Sequence, residues 1–257
     1  MAHHDRLAPP SYRGLMSARD QETTPHEGEQ HQTEGTGSRL NRLRAGVLGA
    51  NDGIVSTAGV VVGVAATSTS IPVIATAGAA ALLAGALSMA AGEYVSVSTQ
   101  RDTEEAMLAK ERQELATMPD EELAELAGIY RAKGLTPELA HEVAVQLTAH
   151  DPLAAHADAE LNIDPDDLTS PWEAAVASIV SFTVGGLLPM AAILLSPTAA
   201  RIPVTFVAVV LALVLTGWGS AGLGQSPTRR ATIRTVLGGA IAMAVTYGIG
   251  SLVDVNV

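Results

Sequence analysis

Five long apolar segments dominate the hydrophobic pattern of this chain. In each of them apolar and small residues continue for more than 20 positions with no polar face, over residues 45–68, 71–98, 172–195, 202–223 and 233–253. A helix needs about 20 such residues to cross a hydrocarbon core of roughly 30 Å. Helices that are apolar all round would leave a soluble protein with no polar surface. The pattern therefore predicts an all-α integral membrane protein with five transmembrane helices per protomer.

The rest of the chain is polar and falls into a tail and an insert. Residues 1–38 are rich in Pro, Gly, Gln, Glu and His and lack apolar periodicity, so we expect a disordered N-terminal tail. Residues 39–99 contain transmembrane helices one and two, and residues 171–257 contain helices three to five. Residues 100–170 lie between helices two and three and are highly charged, which predicts an acidic helical insert outside the membrane.

Turn residues divide the insert into several helices. The first continues from the second span, and Pro119 separates it from the next helix, which Gly134 closes. Two further helix starts match an N-cap residue followed by proline at the first helical position. These starts are Thr136 with Pro137 and Asp151 with Pro152.

The net charge of −12 belongs to the insert. Residues 101–170 hold 17 of the 27 acidic residues against five basic ones, whereas the apolar segments hold almost none. Charges confined to one part of the chain in this way are typical of a protein that contacts both water and lipid.

The chain has no cysteine, which excludes disulfides, zinc–thiolate sites and cysteine nucleophiles.

Basic residues in the short flanks indicate how the chain crosses the membrane. Cytosolic flanks of membrane proteins carry an excess of Lys and Arg. Such residues lie before helix one, after helix two and after helix four, whereas only Arg201 follows helix three. We therefore expect a cytosolic N-terminus and insert, with the C-terminus outside the cell or in an organelle lumen. The basic flanks are Arg39, Arg42 and Arg44; Arg101, Lys110 and Arg112; and Arg229, Arg230 and Arg234.

Two carboxylates and one thioether lie within the first two predicted spans. Asp52 is about two turns from the cytosolic start of helix one, and Glu93 is at a similar depth near the cytosolic end of helix two. Met89 lies one turn deeper than Glu93 on the same helical face. A carboxylate in hydrocarbon is unfavourable unless it is paired, hydrated, protonated or bound to a cation. Carboxylates with a sulfur suit Fe²⁺, Mn²⁺ or Co²⁺, although a methionine alone is more often core packing.

The insert offers a second group of candidate metal ligands. They occur as pairs of ionisable side chains spaced i, i+3 or i, i+4, so each pair lies on one helical face. A cation between two carboxylates would relieve their repulsion, but such pairs are also common on solvated helices, and spacing alone favours that interpretation. The candidates are Glu111 with Glu114 on the first insert helix, Glu122 with Glu125 on the second, and His156 with Glu160 on the fourth.

Three motifs carry a resemblance to a known family. They are GANDGIVST at residues 49–57, SMAAGEYVSVSTQR at residues 88–101 and TYGIG at residues 246–250. The first two are long and specific, and together the three resemble the vacuolar iron transporter family, which includes nodulin-like and bacterial members. The resemblance covers residues 39–257, which is the whole chain apart from the tail.

The resemblance implies a dimer of five-helix protomers that exports cytosolic Fe²⁺ or Mn²⁺ to a vacuole or out of the cell by proton antiport. It implies that Asp52 and Met89 line the translocation path and that Glu93 is the adjoining family carboxylate. It also implies that the four glutamates of the two insert pairs are cytosolic metal ligands. His156 and Glu160 depart from the family pattern, in which a Met is often followed four residues later by Glu.

These observations also define the expected partners. We expect no prosthetic group and no nucleic acid, and instead the lipid bilayer, protons, a second copy of the chain and a divalent metal substrate. That substrate is Fe²⁺ or Mn²⁺, with Zn²⁺ and Co²⁺ as further candidates. Arg greatly outnumbers Lys, and Ala and Gly are abundant, which is typical of proteins from GC-rich bacterial genomes. We therefore expect a bacterial cell membrane rather than a vacuolar one.

Two other classes of function compete with transport. An intramembrane hydrolase is disfavoured, because no histidine lies in any predicted span and no HExxH motif occurs. We therefore do not expect an enzyme. A membrane-anchored sensor or storage protein, which would bind metal in the insert without moving it, stays open. Asp52, Met89 and Glu93 discriminate the two, since a sensor has no need of them at membrane depth.

Overall fold

Helices are the only regular secondary structure in residues 36–223 and 228–252, which the computed structural model describes. No strand is formed in these two ranges, which confirms the all-α prediction. The predicted disordered tail lies outside the described residues, apart from its last three residues, which already belong to the first helix. The helices are α1 (Thr36–Thr67), α2 (Ile71–Thr117), α3 (Pro119–Ala132), α4 (Pro137–His150), α5 (Pro152–His156), α6 (Pro171–Leu195), α7 (Arg201–Leu223) and α8 (Thr228–Leu252).

Five of these helices are long and apolar enough to cross a membrane: α1, α2, α6, α7 and α8. They cover the described part of the five predicted spans apart from Ser68, so the prediction of five transmembrane helices is confirmed. Large apolar side chains on their outer faces, such as Leu83, Val184 and Leu215, are about two-thirds exposed in the isolated protomer. An outer surface of this kind suits contact with lipid rather than water.

Helix α1 lies at the centre of the bundle. Its residues Ile54 and Ala58 pack in a buried cluster with α7 and α8, whereas Val61 and Val62 pack in a second cluster with α2 and α6. Helices in lipid associate through close packing of this kind, because lipid tails are as apolar as the side chains. The position of α1 therefore fixes the positions of its four neighbours.

Small residues let α1 approach α6 closely. A Cβ atom at Gly53 would overlap the backbone carbonyl of Phe182, and one at Gly185 would overlap that of Ala50. Both positions therefore require glycine at the observed helix separation. Phe182 also packs in a buried cluster with Leu82 of α2, so the same contact holds the second span in place.

Helix α2 leaves the bundle and becomes the first helix of the insert, as the sequence predicts. It has 47 residues and is roughly 70 Å long at 1.5 Å per residue. Its apolar part ends near Ser98, and its charged part continues to Thr117. The end of the bundle from which α2 enters the insert is called the insert end below.

The short insert helices begin at the predicted turn residues. The side chain of Thr136 accepts a hydrogen bond from the backbone N–H of Leu139, and that of Asp151 accepts one from Ala154. Both predicted N-caps are therefore confirmed. Gly134, which follows α3, has a φ of 106°, a conformation that favours glycine. Helix α5 then contacts both α4 and α2, which brings the end of the insert back to its beginning.

Polar contacts join the helices near the insert end. Glu104 of α2 lies 3.4 Å from the backbone nitrogen and 3.3 Å from the hydroxyl of Thr169, and it accepts a hydrogen bond from each. Arg42 of α1 forms an ion pair with Glu173 in the first turn of α6. These contacts tie the returning chain to α2 and α1 just where α6 begins.

We expect Gly53→Ala to destabilise the bundle by about 1–3 kcal/mol, because the added methyl group overlaps the backbone of α6. Thermal unfolding of the purified protein in detergent, followed by helical circular dichroism, measures the change. Gly46→Ala is the matched control on the same helix, because its new methyl group meets no atom within 4 Å. Equal melting temperatures for the two variants would contradict the close contact between α1 and α6.

Candidate metal centre

Three ionisable side chains from three helices converge in the insert. Glu111 lies on the charged part of α2, Glu122 in the first turn of α3, and His156 at the end of α5. Their ligand atoms lie within 4.8 Å of one another, and all three residues are buried. Within residues 36–223 and 228–252, this is the only such group of three or more His, Asp or Glu side chains.

The imidazole of His156 is at the centre of this cluster. Its Nδ1 is 3.0 Å from Oε1 of Glu111 and 3.6 Å from Oε2 of Glu122. A fourth carboxylate, that of Glu160, has its Oε2 3.9 Å from the same nitrogen. Glu160 lies on a π-helical turn, Ala157–Leu161, that follows α5 directly. The predicted fourth helix therefore continues through Glu160 as a π-helical turn, and the i, i+4 pair faces one point.

The cluster leaves buried polar atoms without hydrogen bonds. Neither ring nitrogen of His156 has a hydrogen-bond partner, and Oε1 of Glu111 has none despite its closeness to the imidazole. An unsatisfied buried polar group is unfavourable by about 1–3 kcal/mol, and such groups in proteins are usually paired. A cation between these atoms would satisfy them by accepting their lone pairs. The unsatisfied atoms therefore indicate a ligand site rather than a purely structural ion pair.

The donor set suits a divalent transition metal. Imidazole nitrogen is a common ligand of iron and zinc, and carboxylate oxygen suits manganese. Calcium and magnesium take oxygen ligands and have little use for a ring nitrogen. One imidazole with three carboxylates in reach is therefore compatible with Fe²⁺, Mn²⁺, Co²⁺ or Zn²⁺.

Burial raises the pKa of the Glu111 carboxyl and of the Glu122 carboxyl above the ordinary value of a glutamate. Neighbouring carboxylates add to both shifts, and positive charge on His156 opposes them. Carboxyl groups in this state hold protons to a higher pH than exposed ones do. A metal ion that enters the cluster therefore competes with protons for these carboxylates.

The other two predicted insert glutamates border the cluster. Glu114 accepts a 2.7 Å hydrogen bond from Nζ of Lys110, one turn away on α2. Glu125 is exposed on α3, although its negative charge contributes to the raised pKa of Glu122. The structure therefore brings four of the six predicted insert residues together and holds two at the margin. The four are Glu111, Glu122, His156 and Glu160.

Asp52 and Met89 lie at one level of the bundle. Helices α1 and α2 are antiparallel, and contacts near both ends set their register. In this register Asp52 is level with Met89, and Glu93 is about one turn nearer the insert end. The contacts that set it are those of Ala45 with Val97 and of Val61 with Gly78.

The carboxylate of Asp52 faces outward from the isolated protomer. The residue is exposed, and its carboxylate makes no hydrogen bond or ion pair among the described residues, while its backbone carbonyl accepts a hydrogen bond from the hydroxyl of Ser56. Met89 is partly buried and packs against the cluster that contains Phe182. The two side chains therefore share a level, with one on the protomer surface and the other beside α6.

Glu93 is buried, and its nearest charged neighbour is an arginine of α1. Its side chain is 10% exposed, and its Oε2 lies 3.7 Å from Nη2 of Arg44 without a hydrogen bond. The contacts of Arg44 with Glu93 and of Lys110 with Glu114 were not predicted from the sequence, in which both basic residues indicated only a cytosolic flank. The i, i+4 spacing of Lys110 and Glu114 could have predicted their ion pair. The contact between Arg44 and Glu93 depends on helix register, which the sequence does not encode locally.

The fold defines a multi-pass helical membrane protein with a buried acidic cluster in its insert. The sequence pattern of the VIT family matches residues 43–251, and the chain belongs to this family. A protein named Vacuolar iron transporter from Acanthamoeba castellanii is 43% identical over 233 residues, which is 88% of this chain and 83% of that protein. Vacuolar iron transporter homolog 4 from Arabidopsis thaliana is 34% identical over 228 residues, 88% of this chain and 91% of the relative. The predicted family is thereby confirmed.

We expect His156→Ala to weaken metal binding by at least about tenfold, because the cluster loses its only imidazole, and even outer-shell changes at metal sites reach this size. Titration calorimetry of the purified protein with Mn²⁺ measures the affinity. His141→Ala is the control, since His141 is exposed on α4. Equal weakening in both variants would show that the cluster is not the binding site.

We expect metal binding in the insert to release protons at mildly acidic pH and to strengthen as the pH rises. The reason is the raised pKa of Glu111 and Glu122, which keeps them protonated above the ordinary range of about 4.3. For the same reason, the metal-free fold loses stability as the pH rises through the raised pKa values.

Calorimetric titrations in buffers of different ionisation enthalpy count the released protons. Glu138→Gln, at an exposed position of α4, should leave the count unchanged, whereas Glu122→Gln should lower it. Binding with no proton release at pH 5 would contradict the raised pKa values.

Proposed function

We propose that this protein transports a divalent transition metal, Fe²⁺ or Mn²⁺, out of the cytosol. The observation that carries the proposal is the buried, unsatisfied cluster of Glu111, Glu122 and His156 at the end of a helix that continues into the membrane bundle. The names of the relatives from Acanthamoeba castellanii and Arabidopsis thaliana, which refer to iron transport, support iron as the substrate.

Helix α2 connects the cluster with the residues inside the bundle. Glu111 lies 18 positions after Glu93 on this one helix, a separation of roughly 27 Å. The insert captures the metal from the cytosol and concentrates it at the insert end. Glu93 and Met89 then receive it within the bundle, and Asp52 receives it at the protomer surface, level with Met89.

Transport by proton antiport fits the chemistry of these groups. Carboxylates in a low-dielectric site favour protonation, so metal entry releases protons and metal exit readmits them. A proton gradient directed into the cytosol would therefore drive metal outward. The N-terminus and the insert face the cytosol, as the basic flanks indicate.

A second copy of the chain completes the path. The carboxylate of Asp52 is exposed on the surface of one protomer and makes no hydrogen bond or ion pair among the described residues. An unpaired carboxylate facing lipid is unfavourable by about 3 kcal/mol. A homodimer that covers this surface places the two Asp52 carboxylates on one translocation path. The membrane in which this dimer lies is a bacterial cell membrane.

The alternative is a membrane-anchored sensor or storage protein that uses the insert cluster alone. The closed geometry of that cluster suits binding without transport equally well. Transport is favoured because two carboxylates and a thioether lie inside the spans, where binding in the insert does not require them.

The test is metal flux into liposomes that contain the purified protein and a trapped metal-sensitive dye, with an imposed pH gradient. We expect flux of Fe²⁺ and Mn²⁺ in the wild type and its loss in Asp52→Asn, because that variant removes the carboxylate from the path. Asp102→Asn is the matched control, since Asp102 is exposed on the same helix as the insert site.

Flux lost in Asp52→Asn and retained in Asp102→Asn supports a proton-coupled transporter. Wild-type flux equal to that of empty liposomes, with Mn²⁺ still bound to the insert, supports the sensor or storage function instead. Flux that ignores the pH gradient would contradict antiport and leave transport itself supported.

A further inference from the structure

The ion pair of Arg44 and Glu93 is unusual for a contact inside the bundle. Oε2 of Glu93 is fully buried and has no hydrogen-bond partner, yet Nη2 of Arg44 lies only 3.7 Å away. A strong pair of a guanidinium and a carboxylate has N to O distances of about 2.7–2.9 Å. The arginine therefore neutralises the carboxylate by charge without satisfying it by a hydrogen bond.

The two partners differ greatly in their freedom. The side chain of Glu93 is 10% exposed, whereas that of Arg44 is 58% exposed. The guanidinium of Arg44 makes no other hydrogen bond or ion pair among the described residues. The carboxylate is thus fixed in the bundle, and the guanidinium can leave it for water without breaking another contact.

The neighbouring pair on the same two turns of α1 is different. Arg42 donates a hydrogen bond to Oε2 of Glu173, and this pair joins α1 to α6 at the insert end. Arg42 therefore has a structural partner, while Arg44 faces a candidate metal ligand. Two arginines of one helix, two positions apart, form one hydrogen-bonded pair and one loose pair.

We propose that Arg44 is a tethered counter-cation that occupies Glu93 while the site is empty and that an arriving divalent metal displaces it. The inference rests on the proposed function and names a residue that sets the affinity of the membrane site. In the empty state Arg44 neutralises a buried charge, which would otherwise be strongly unfavourable. In the loaded state the metal takes over that charge, and the guanidinium moves out into water.

A tethered competitor has a defined effect on affinity. A metal must bind Glu93 more tightly than the arginine does, so the apparent affinity falls by the fraction of time that Arg44 occupies the carboxylate. The same competition speeds release, because Arg44 returns as the metal leaves. Removal of the guanidinium therefore raises the affinity for the metal and lowers the rate of transport. Loss of a merely structural contact would instead lower both the affinity and the rate.

The test compares Arg44→Gln with Arg42→Gln in full-length protein that also carries His156→Ala, so that the insert cluster contributes little. We expect Arg44→Gln to tighten Mn²⁺ binding by about two- to fivefold, the range for a partly exposed ion pair. Arg44→Lys keeps the charge and should bind as its parent does. Arg42→Gln should leave the affinity unchanged, because Glu173 lies outside the path.

Chemical rescue provides a readout that a structural role would not move. Guanidinium ion, added far below denaturing concentrations, should restore the weaker affinity in Arg44→Gln and have little effect on its parent. In liposomes with the native insert, Arg44→Gln should lower both the KM and the maximal rate for Mn²⁺.

Weaker or unchanged Mn²⁺ binding in Arg44→Gln overturns the proposal, and so does tighter binding that guanidinium does not reverse. If Arg44→Gln does not fold, Arg44→Lys provides the test. A lower affinity of Arg44→Lys for Mn²⁺ than that of its parent would also overturn the proposal. Failure of the proposed function looks different. In that case wild-type liposomes show no Mn²⁺ flux, whatever residue stands at position 44.

Discussion

The close approach of α1 to α6 is the constraint on which the bundle depends. Glycine at positions 53 and 185 allows backbone to meet backbone, and Phe182 then fills the space towards α2. In lipid this packing replaces the hydrophobic effect as the source of helix association. Because α1 carries both Arg44 and Asp52, the same contact sets the level of each charged group. If α1 and α6 were further apart, Arg44 and Asp52 would lie at different levels relative to the neighbouring helices.

Much of the architecture could be predicted from the chain, because hydrophobic length and turn chemistry are local properties. The five spans, the acidic insert and the N-caps at Thr136 and Asp151 all follow from short stretches of sequence. The cluster was predicted only as a set of candidates. Spacing favoured a solvated face for the glutamates, whereas the fold buries Glu111 and Glu122 around His156. Burial of this kind depends on tertiary contacts between α2, α3 and α5, which no single helix reveals.

Two features of the structure were not predicted from the sequence. The π-helical turn after His156 is a local rearrangement that brings Glu160 to the imidazole, and such turns frequently occur at functional sites. The pair of Arg44 and Glu93 arises from the register of antiparallel helices. For this pair the informative property is the distance between two chain segments, and hydrophobic periodicity does not contain that distance.

The uninterrupted course of α2 gives the protein a lever arm. The helix is last held in the bundle at Val97, which packs with Ala45 and Ala174, and it extends about 21 Å further to Glu111. A tilt of about 10° around that point would move Glu111 by roughly 4 Å, given the rise of 1.5 Å per residue. A small repacking of α6 against α2 would therefore produce a larger displacement of the insert glutamates. The reverse also holds, because a displacement of the insert would reach the bundle through the same helix as a smaller movement of its packed part.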